Sequence, residues 1–339
     1  MNKGLQMNEL IDKIKRRKTM VQDRLVPSFM MNMQPSGLMD VGDDRDLSLL
    51  PVAHENVASI TGIPMPYYRK LQNAPELMAQ NVNHWWPMKE TRFVRTYDMK
   101  EIRAVLSDKY KPMEDYDVAE IMLPHLHANA NRFRVKSANL TERRFYLQFV
   151  DTELEAEIQV TRNGRRLGEV VEGGFMVSNS EIGEGAFTMS AYINVLSCLN
   201  GMVRDASMRK VHLGKKLGNG HIEIYSDETR RKEVDLFRSQ VKDALNYGFD
   251  RDAFRAEVAQ FQLAADNTFK PSEAEKKIKD VTDKFSLTKA DGKSILDNLF
   301  SAGDFSQWGL AQAVTAMVHN IDDADLAIDL EKIGGKIIG

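Results

Sequence analysis

Five clusters of arginine and lysine, several with a tyrosine nearby, have the clearest potential chemistry in this sequence. Cationic side chains neutralise phosphates and aromatic rings stack on bases. Basic strands and hairpin tips with interleaved aromatics are therefore typical of a groove for single-stranded nucleic acid. The candidate nucleic-acid-binding residues are Arg92, Arg95, Arg103, Lys109, Tyr110, Arg132, Arg134, Lys136, Arg143, Arg144, Arg165, Arg166, Arg204, Arg209, Lys210, His212, Lys215 and Lys216.

Ion pairing is the alternative explanation for these residues. A solvated strand face whose arginines pair with neighbouring glutamates accounts for any single cluster better than a ligand does. Five clusters in one part of a chain with a net charge of -3 make the nucleic-acid interpretation equally tenable. Spacing supports it for Arg132, Arg134 and Lys136, because residues two apart in a strand point to the same face.

Recognisable catalytic patterns are absent from the sequence. It has no glycine-rich nucleotide-binding motif, no HExxH or CxxC pattern and no GxSxG motif. His125 and His127 lie at a predicted helix end, and their spacing points the two rings apart rather than toward one zinc ion. We therefore expect no cofactor, no metal and no enzymatic activity. Two alternatives stay open: a counter-defence or regulatory protein that binds a host protein, and an unrecognised enzyme that uses Glu181, Cys198 and His212 together.

Composition indicates a globular protein of a reducing cytoplasm. The 339 residues are 42% apolar and 28% charged. No apolar run approaches the roughly 18 residues that a membrane helix needs, so we expect no membrane partner. Cys198 is the only cysteine, which excludes an internal disulfide and favours a cytoplasmic location in a bacterial host. It lies on a predicted buried helix, where we expect a small core residue.

Hydrophobic periodicity predicts an α+β fold in three parts. Residues 1–50 form an N-terminal helix and an irregular arm, residues 51–225 a mixed α+β domain, and residues 226–339 a helical domain. The mixed domain contains a predicted hairpin over residues 92–106. The helical part has more acid than base, so we expect the β-rich part to bind nucleic acid. The helical part would assemble subunits or bind a replication or host protein.

The centre of the mixed domain is predicted to be a β-β-β-α core with an antiparallel sheet. Apolar and polar residues alternate over 145–149 and 154–160, which indicates two strands joined by a short acidic turn. Residues 170–178 form the third predicted strand. Phe187, Ala191, Val195 and Leu199 share one helical face, so residues 187–200 are predicted to form a buried helix.

The arm from Pro27 to Gly42 is predicted to contact a second subunit. Its proline and glycine leave it no regular element, whereas its apolar side chains would gain more by burial against a neighbour than on their own subunit. We therefore expect a homo-oligomer, a ring or filament. The apolar residues of the arm are Phe29, Met30, Met31, Met33 and Met39.

Several short stretches resemble the uncharacterised "phage/plasmid-like protein" family of bacteriophages, plasmids and prophages. Together they extend over about residues 53–337, and the family implies a mobile-element protein without implying an activity. The matching stretches are Gly62–Pro64, Tyr67-Tyr68, Ala79–Asn83, Arg103–Tyr110, Asn179–Gly183, Cys198–Met202, His212–Gly214, Trp308–Thr315 and Glu331–Gly335.

The order of predicted elements is also similar to the Rad52-like strand-annealing fold of a eukaryotic recombination protein and phage recombinases. This resemblance rests on element order alone and shares no sequence motif. It implies a ring whose outer groove holds a single DNA strand. The sequence therefore predicts a phage or plasmid protein that binds single-stranded DNA and anneals complementary strands without covalent chemistry.

Overall fold

Two β-sheets and the helices packed on them form the framework of the protein. The computed structural model describes residues 7–196, 201–210, 227–247 and 251–339. The α+β class is confirmed, as are an antiparallel sheet, helices in the N-terminal part and a helical C-terminal region. Among the described residues, no helix combines the length and apolarity that crossing a bilayer requires.

The first sheet has six strands in the order β1-β5-β6-β4-β3-β2. All neighbours are antiparallel except β4 and β6, and helices α2–α4 pack on this sheet around buried residues such as Tyr68 and Val82. The elements up to the end of this sheet are α1 (Met7–Met20), β1 (Val21–Pro27), a 3₁₀ turn (Ser28–Met30), β2 (Met31–Met33), β3 (Met39–Val41), β4 (Asp44–Leu49), α2 (Pro51–Thr61), α3 (Met65–Leu71), α4 (Pro75–Trp85), β5 (Thr91–Tyr97) and β6 (Glu101–Ser107).

The second sheet is an antiparallel meander in the order β11-β10-β9-β8-β7. One of its faces packs against α1, α5 and α6 through a phenylalanine-rich core and, farther along the strands, against α7 and α10, while Ile328 of α11 packs on the other face. Its elements are α5 (Asp115–Ala128), β7 (Phe133–Leu140), β8 (Phe145–Arg162), β9 (Arg165–Asn179), β10 (Phe187–Val195) and β11 (Gly201–Lys210).

The C-terminal helices pack on the second sheet and on one another. Trp308 is fully buried, and its indole Nε1 donates a hydrogen bond to Glu169 of β9 at 2.7 Å. The elements are α6 (Asp227–Tyr247), α7 (Arg251–Asp266), a 3₁₀ turn (Pro271–Glu273), α8 (Ala274–Phe285), α9 (Lys289–Ala302), α10 (Gln307–Thr315), a 3₁₀ turn (Ala316–Asn320) and α11 (Ala324–Ile338).

The predicted helix over residues 187–200 is wrong, because Phe187–Val195 form strand β10. The β-β-β-α order is therefore also wrong: in the described part of the chain, the five strands β7 to β11 follow α5 before helix α6 begins. Both faces of β10 are covered, so the alternation that marks a half-buried strand is lost. Tyr192 packs with Ile328 of α11 on one face, while its neighbour Ile193 enters the core formed with α7 and α10 on the other, and a strand that is apolar on both faces resembles a buried helix in sequence.

The two strands predicted over 145–160 form the single strand β8, and the predicted acidic turn between them is a bulge. The pairing of β8 with β9 shifts between Val150 and Glu155, so four residues of β8 bulge opposite one residue of β9. The strand continues because β9 continues beside it. Asn163 and Gly164, both with positive φ, then form the predicted tight turn.

The arm predicted to be irregular is instead part of the first sheet. Met31, Met33 and Met39 lie in strands and are buried in the core of their own subunit, whereas Phe29 and Met30 are exposed. Strands from residues 21–49 and 91–107 share one sheet, so residues 1–50 do not form a structurally separate part of the chain. Short strands between tight turns bury apolar side chains without a long periodic signal.

We expect Gly174→Ala to destabilise the fold. A Cβ on Gly174 would overlap the carbonyl oxygen of Phe149 beside the bulge, and a backbone atom of a paired strand has little room to move. The expected loss is about 2 kcal/mol or more in the free energy of unfolding, measured by urea denaturation. Gly168→Ala is the matched control, since its Cβ would meet only the end of the flexible, exposed Glu157 side chain. Equal losses of unfolding free energy for the two variants would contradict the close packing of Gly174 against the backbone of β8.

Candidate functional site

Two of the predicted nucleic-acid-binding residues, Arg95 and Arg103, are fully buried between the two sheets. They lie in a group of charged side chains that we call the ionic junction. In this conformation neither guanidinium can reach a phosphate in solvent. The residues of the ionic junction are Arg17, Asp23, Arg95, Arg103, Glu114, Asp115, Glu142 and Glu181.

Arg95 on β5 bonds to carboxylates from two elements. Its Nε and Nη2 donate to Asp23 of β1 at 2.8 and 2.7 Å, in a two-pronged pair. Its Nη2 also donates to Glu114, just before α5, at 2.6 Å, and its Nη1 to the backbone oxygen of Glu181 at 3.2 Å. These donors match the fork geometry with which arginine binds carboxylates.

Arg103 on β6 makes the second set of bonds. Its Nε donates to Glu142 at 3.0 Å and its Nη1 donates to Glu181 Oε2. Glu181 Oε1 accepts the backbone N–H of Asp115 at 2.8 Å, at the start of α5. One carboxylate therefore connects the first sheet, the N-terminus of α5 and the second sheet, and a helix N-terminus favours negative charge.

The loop after β9 positions Glu181. Asn179 Nδ2 donates to Asp115 Oδ1 and to the backbone oxygen of Met113, both at 2.8 Å. Tyr110, also a predicted binding residue, is buried; its hydroxyl donates to Ser180 O at 3.1 Å and accepts the Gly183 N–H at 3.0 Å. Gly183 has φ +82°, a value that favours glycine. The Asn-Ser-Glu-x-Gly stretch thus fixes the junction rather than a ligand.

The junction contains five carboxyl groups and three arginines, which would give it an excess of negative charge. Burial reduces this excess by raising the pKa of two of the carboxyl groups. It raises the pKa of Glu114 to about 7, against the opposing pull of Arg95. Burial, together with the charge of Glu181, raises the pKa of Asp115 to about 8. Burial also acts to raise the pKa of Glu181, but Arg103, Arg17 and Arg95 together lower it below its usual value. Near neutral pH the junction can therefore hold protons on Glu114 and Asp115, which balances its charge.

The remaining predicted arginines mostly pair with neighbouring carboxylates. Each arginine named below donates hydrogen bonds to one or two carboxylates or to a backbone carbonyl. Pairing with neighbouring groups therefore accounts for much of the clustering of basic residues in the sequence. The pairs are Arg92 with Glu90, Arg132 with Asp151 at 2.6 Å, Arg134 with Glu172 at 2.8 Å, Arg143 with Glu55 at 2.6 Å and Glu184 at 2.7 Å, Arg144 with the Glu184 carbonyl, and Arg204 with Glu257 at 2.9 Å.

Three predicted residues, Lys109, Arg165 and Arg166, are exposed, and the latter two lie at the tip of the β8–β9 hairpin. Lys136 is half-buried on β7. Arg209 and Lys210 end strand β11, while His212, Lys215 and Lys216 lie outside the described residues. The grouping of Glu181 with Cys198 and His212 stays a prediction, since Cys198 and His212 also lie outside the described ranges.

Helix α1 supplies cations that the sequence analysis did not assign to the site. Lys13, Lys15, Arg16 and Lys18 are exposed, and α1 lies against β7, which carries Arg134 and Lys136. The run of basic residues is visible in the sequence, but its contact with a strand more than 110 residues away arises only in the folded chain. Within the described part of the chain, no group of three or more His, Cys, Asp or Glu side chains is arranged to hold a metal ion.

Comparison with known protein families, with curated proteins and with solved structures finds no significant match to this chain. The resemblances to the phage/plasmid-like family and to the strand-annealing fold therefore stay predictions.

The ionic junction should make stability fall as pH rises from about 5 to 8. Glu114 and Asp115 keep protons in the folded state at pH values where the unfolded chain has released them, so raising the pH favours unfolding. Glu331, whose pKa burial raises to about 7, adds to the same slope. Each proton bound only by the folded state contributes about 1.4 kcal/mol per pH unit.

Chemical denaturation at a series of pH values measures this slope. Glu114→Gln with Asp115→Asn should reduce it. Asp108→Asn with Glu120→Gln, which removes two exposed carboxylates, should leave it unchanged. A pH slope that the Glu114 and Asp115 double variant leaves at the parent value would contradict the assignment of protons to the junction, because His54 and His125, whose pKa values burial lowers, add an opposite slope to both proteins.

Glu181→Ala should cost about 3–5 kcal/mol of unfolding free energy, because it leaves Arg103 buried with one fewer partner and frees the N–H of Asp115. Glu184→Ala, three residues away, removes a partly exposed ion pair with Arg143 and should cost at most about 1 kcal/mol. Urea denaturation followed by circular dichroism compares the two. A loss below about 1 kcal/mol for Glu181→Ala would show that the sheets do not depend on this carboxylate.

Proposed function

We propose that this protein binds single-stranded DNA and promotes annealing of complementary strands through a basic edge formed by α1 and β7. The observation that carries the proposal is the charge of these two adjacent elements. The two elements carry seven Lys or Arg residues, five on α1 and two on β7, and two carboxylates of their own, Glu9 and Asp12; Arg17 and Arg134 also pair with Asp115 and Glu172 of other elements. Such an excess in a chain of net charge -3 is a local anion-binding surface.

The cations of this basic edge differ in how available they are. Lys15 and Arg16 are exposed and form no ion pair with another described residue. Lys13 pairs with Glu9 at 3.4 Å across one helical turn, a contact that solvent weakens. Arg134 is 50% exposed while it bonds Glu172, so its outer N–H groups still face solvent. Arg17 is less available, because its guanidinium donates hydrogen bonds to Asp115 and to the backbone carbonyl of Thr141.

Phosphate contacts, rather than base stacking, would supply the affinity. The tyrosines interleaved with the predicted clusters, Tyr97, Tyr110 and Tyr146, are buried and cannot stack on bases. A strand held by its phosphates keeps its base edges open for pairing, which is what annealing requires. The mechanism is electrostatic: no bond is made or broken, and no cofactor enters it.

Lys15→Gln with Arg16→Gln should weaken binding of a labelled oligothymidine, measured by fluorescence anisotropy over a salt series. We expect a roughly three- to tenfold loss of affinity at low salt. The slope of log K against log salt should fall by up to about one for each lost phosphate contact. Lys276→Gln with Lys279→Gln is the matched control, because it removes the same charge from the exposed face of α8.

Equal effects of the two double variants would show that net charge, not the basic edge, sets the affinity. No binding by the parent protein at low salt would reject the proposal and favour the alternative of a protein that binds a host protein. The annealing step is tested separately by energy transfer between complementary labelled oligonucleotides. A parent protein that binds DNA without accelerating pairing would reject the annealing activity and retain only the single-strand binding part of the proposal.

A further inference from the structure

Four large apolar side chains are exposed together at one end of the first sheet. Phe29 is 68% exposed, Trp85 59%, Met88 52% and Met30 38%. We call them the apolar corner. An exposed apolar patch of this kind on a folded protein marks a contact surface.

Hydrogen bonds fix the two segments of the corner side by side. The Ser28 N–H donates to Glu90 O at 2.8 Å, and the indole of the buried Trp86 donates to Ser28 O at 3.1 Å. Pro27 pairs with Thr91 where β1 ends and β5 begins. The 3₁₀ turn over 28–30 and the segment 85–90 are thus adjacent, and the exposed side chains project from an anchored backbone rather than a loose loop.

Charge and area together favour a protein occupant over a nucleic acid. Glu90 neutralises Arg92, which leaves Lys89 as the cation beside the corner, too little positive charge for a phosphate backbone. The four side chains expose roughly 400–500 Å². That is about half of the 800 Å² that each partner buries in a standard interface, as expected for the apolar centre of one with a polar rim.

We propose that the apolar corner is the contact between two copies of this chain related by a two-fold axis. A two-fold interface requires a surface that is complementary to itself, and apolar side chains meet this requirement. Lys89 and Glu90 are adjacent at the rim, and the Glu90 side chain is 54% exposed while it pairs with Arg92, so a two-fold partner can place Lys89 near Glu90 on both sides of the axis. The proposal does not depend on DNA binding, since the corner and the basic edge are formed by different elements.

Sedimentation velocity of the full chain over a concentration series tests the proposal. We expect a dimer, with Phe29→Ser and Trp85→Ser together raising its dissociation constant at least about tenfold. Leu263→Ser with Phe300→Ser is the matched control, because it removes two exposed apolar side chains from the helical region. Removing residues 1–42 is not a suitable test, since it would delete three strands of the first sheet.

Tryptophan fluorescence supplies a second readout. Trp86 and Trp308 are buried, so acrylamide quenching reports mainly on Trp85, and dilution should increase it as the dimer dissociates. A monomeric full chain, or a dimer that both double variants leave intact, would overturn the proposal. So would protection of Trp85 in the monomer by oligothymidine, which would identify the corner as a base-stacking surface instead.

Discussion

The burial of Arg95 and Arg103 beside Glu181 is the constraint on which the two-sheet arrangement depends. Two guanidinium groups removed from water must each find carboxylates with good geometry, and they find them on β1, on the turn after β7, at the start of α5 and on the loop after β9. No one of these elements could satisfy both arginines. The relative position of the sheets is therefore specified by polar bonds as well as by apolar packing, and the excess of carboxylates makes that position sensitive to protons.

This use of charge explains why many of the predicted binding arginines are paired within the fold. Arginines of β5, β6, β7 and the β7–β8 turn bond carboxylates on neighbouring elements, and several of those carboxylates are themselves buried. Burying a carboxylate without a partner is costly, so the arginines are as much a condition of the fold as a surface feature. Among the described residues, exposed positive charge is concentrated on α1, which lies against β7, and Arg165 and Arg166 are exposed at the β8–β9 hairpin.

The proposed binding edge and the proposed dimer contact lie at opposite ends of β1. Helix α1 ends directly before the strand and the apolar corner begins directly after it, so about 20 Å separates them. Two copies joined at the corner would present two basic edges without either edge being covered. Repeating a local basic surface in this way compensates for the near-zero charge of one chain.

By itself, the sequence determined the α+β class, the β5–β6 hairpin, the Asn163-Gly164 turn and the C-terminal helices, because these depend on short-range period and turn chemistry. It also identified the basic residues, but not which were available. Tertiary structure decided that β10 is a strand, since two covered faces erase the alternation that distinguishes strand from helix. It decided that Met31, Met33 and Met39 are core while Phe29 stays exposed. It also determined which carboxylate each buried arginine binds. Arg95 and Arg103 pair with residues that are distant in sequence, and only the folded chain brings those residues together.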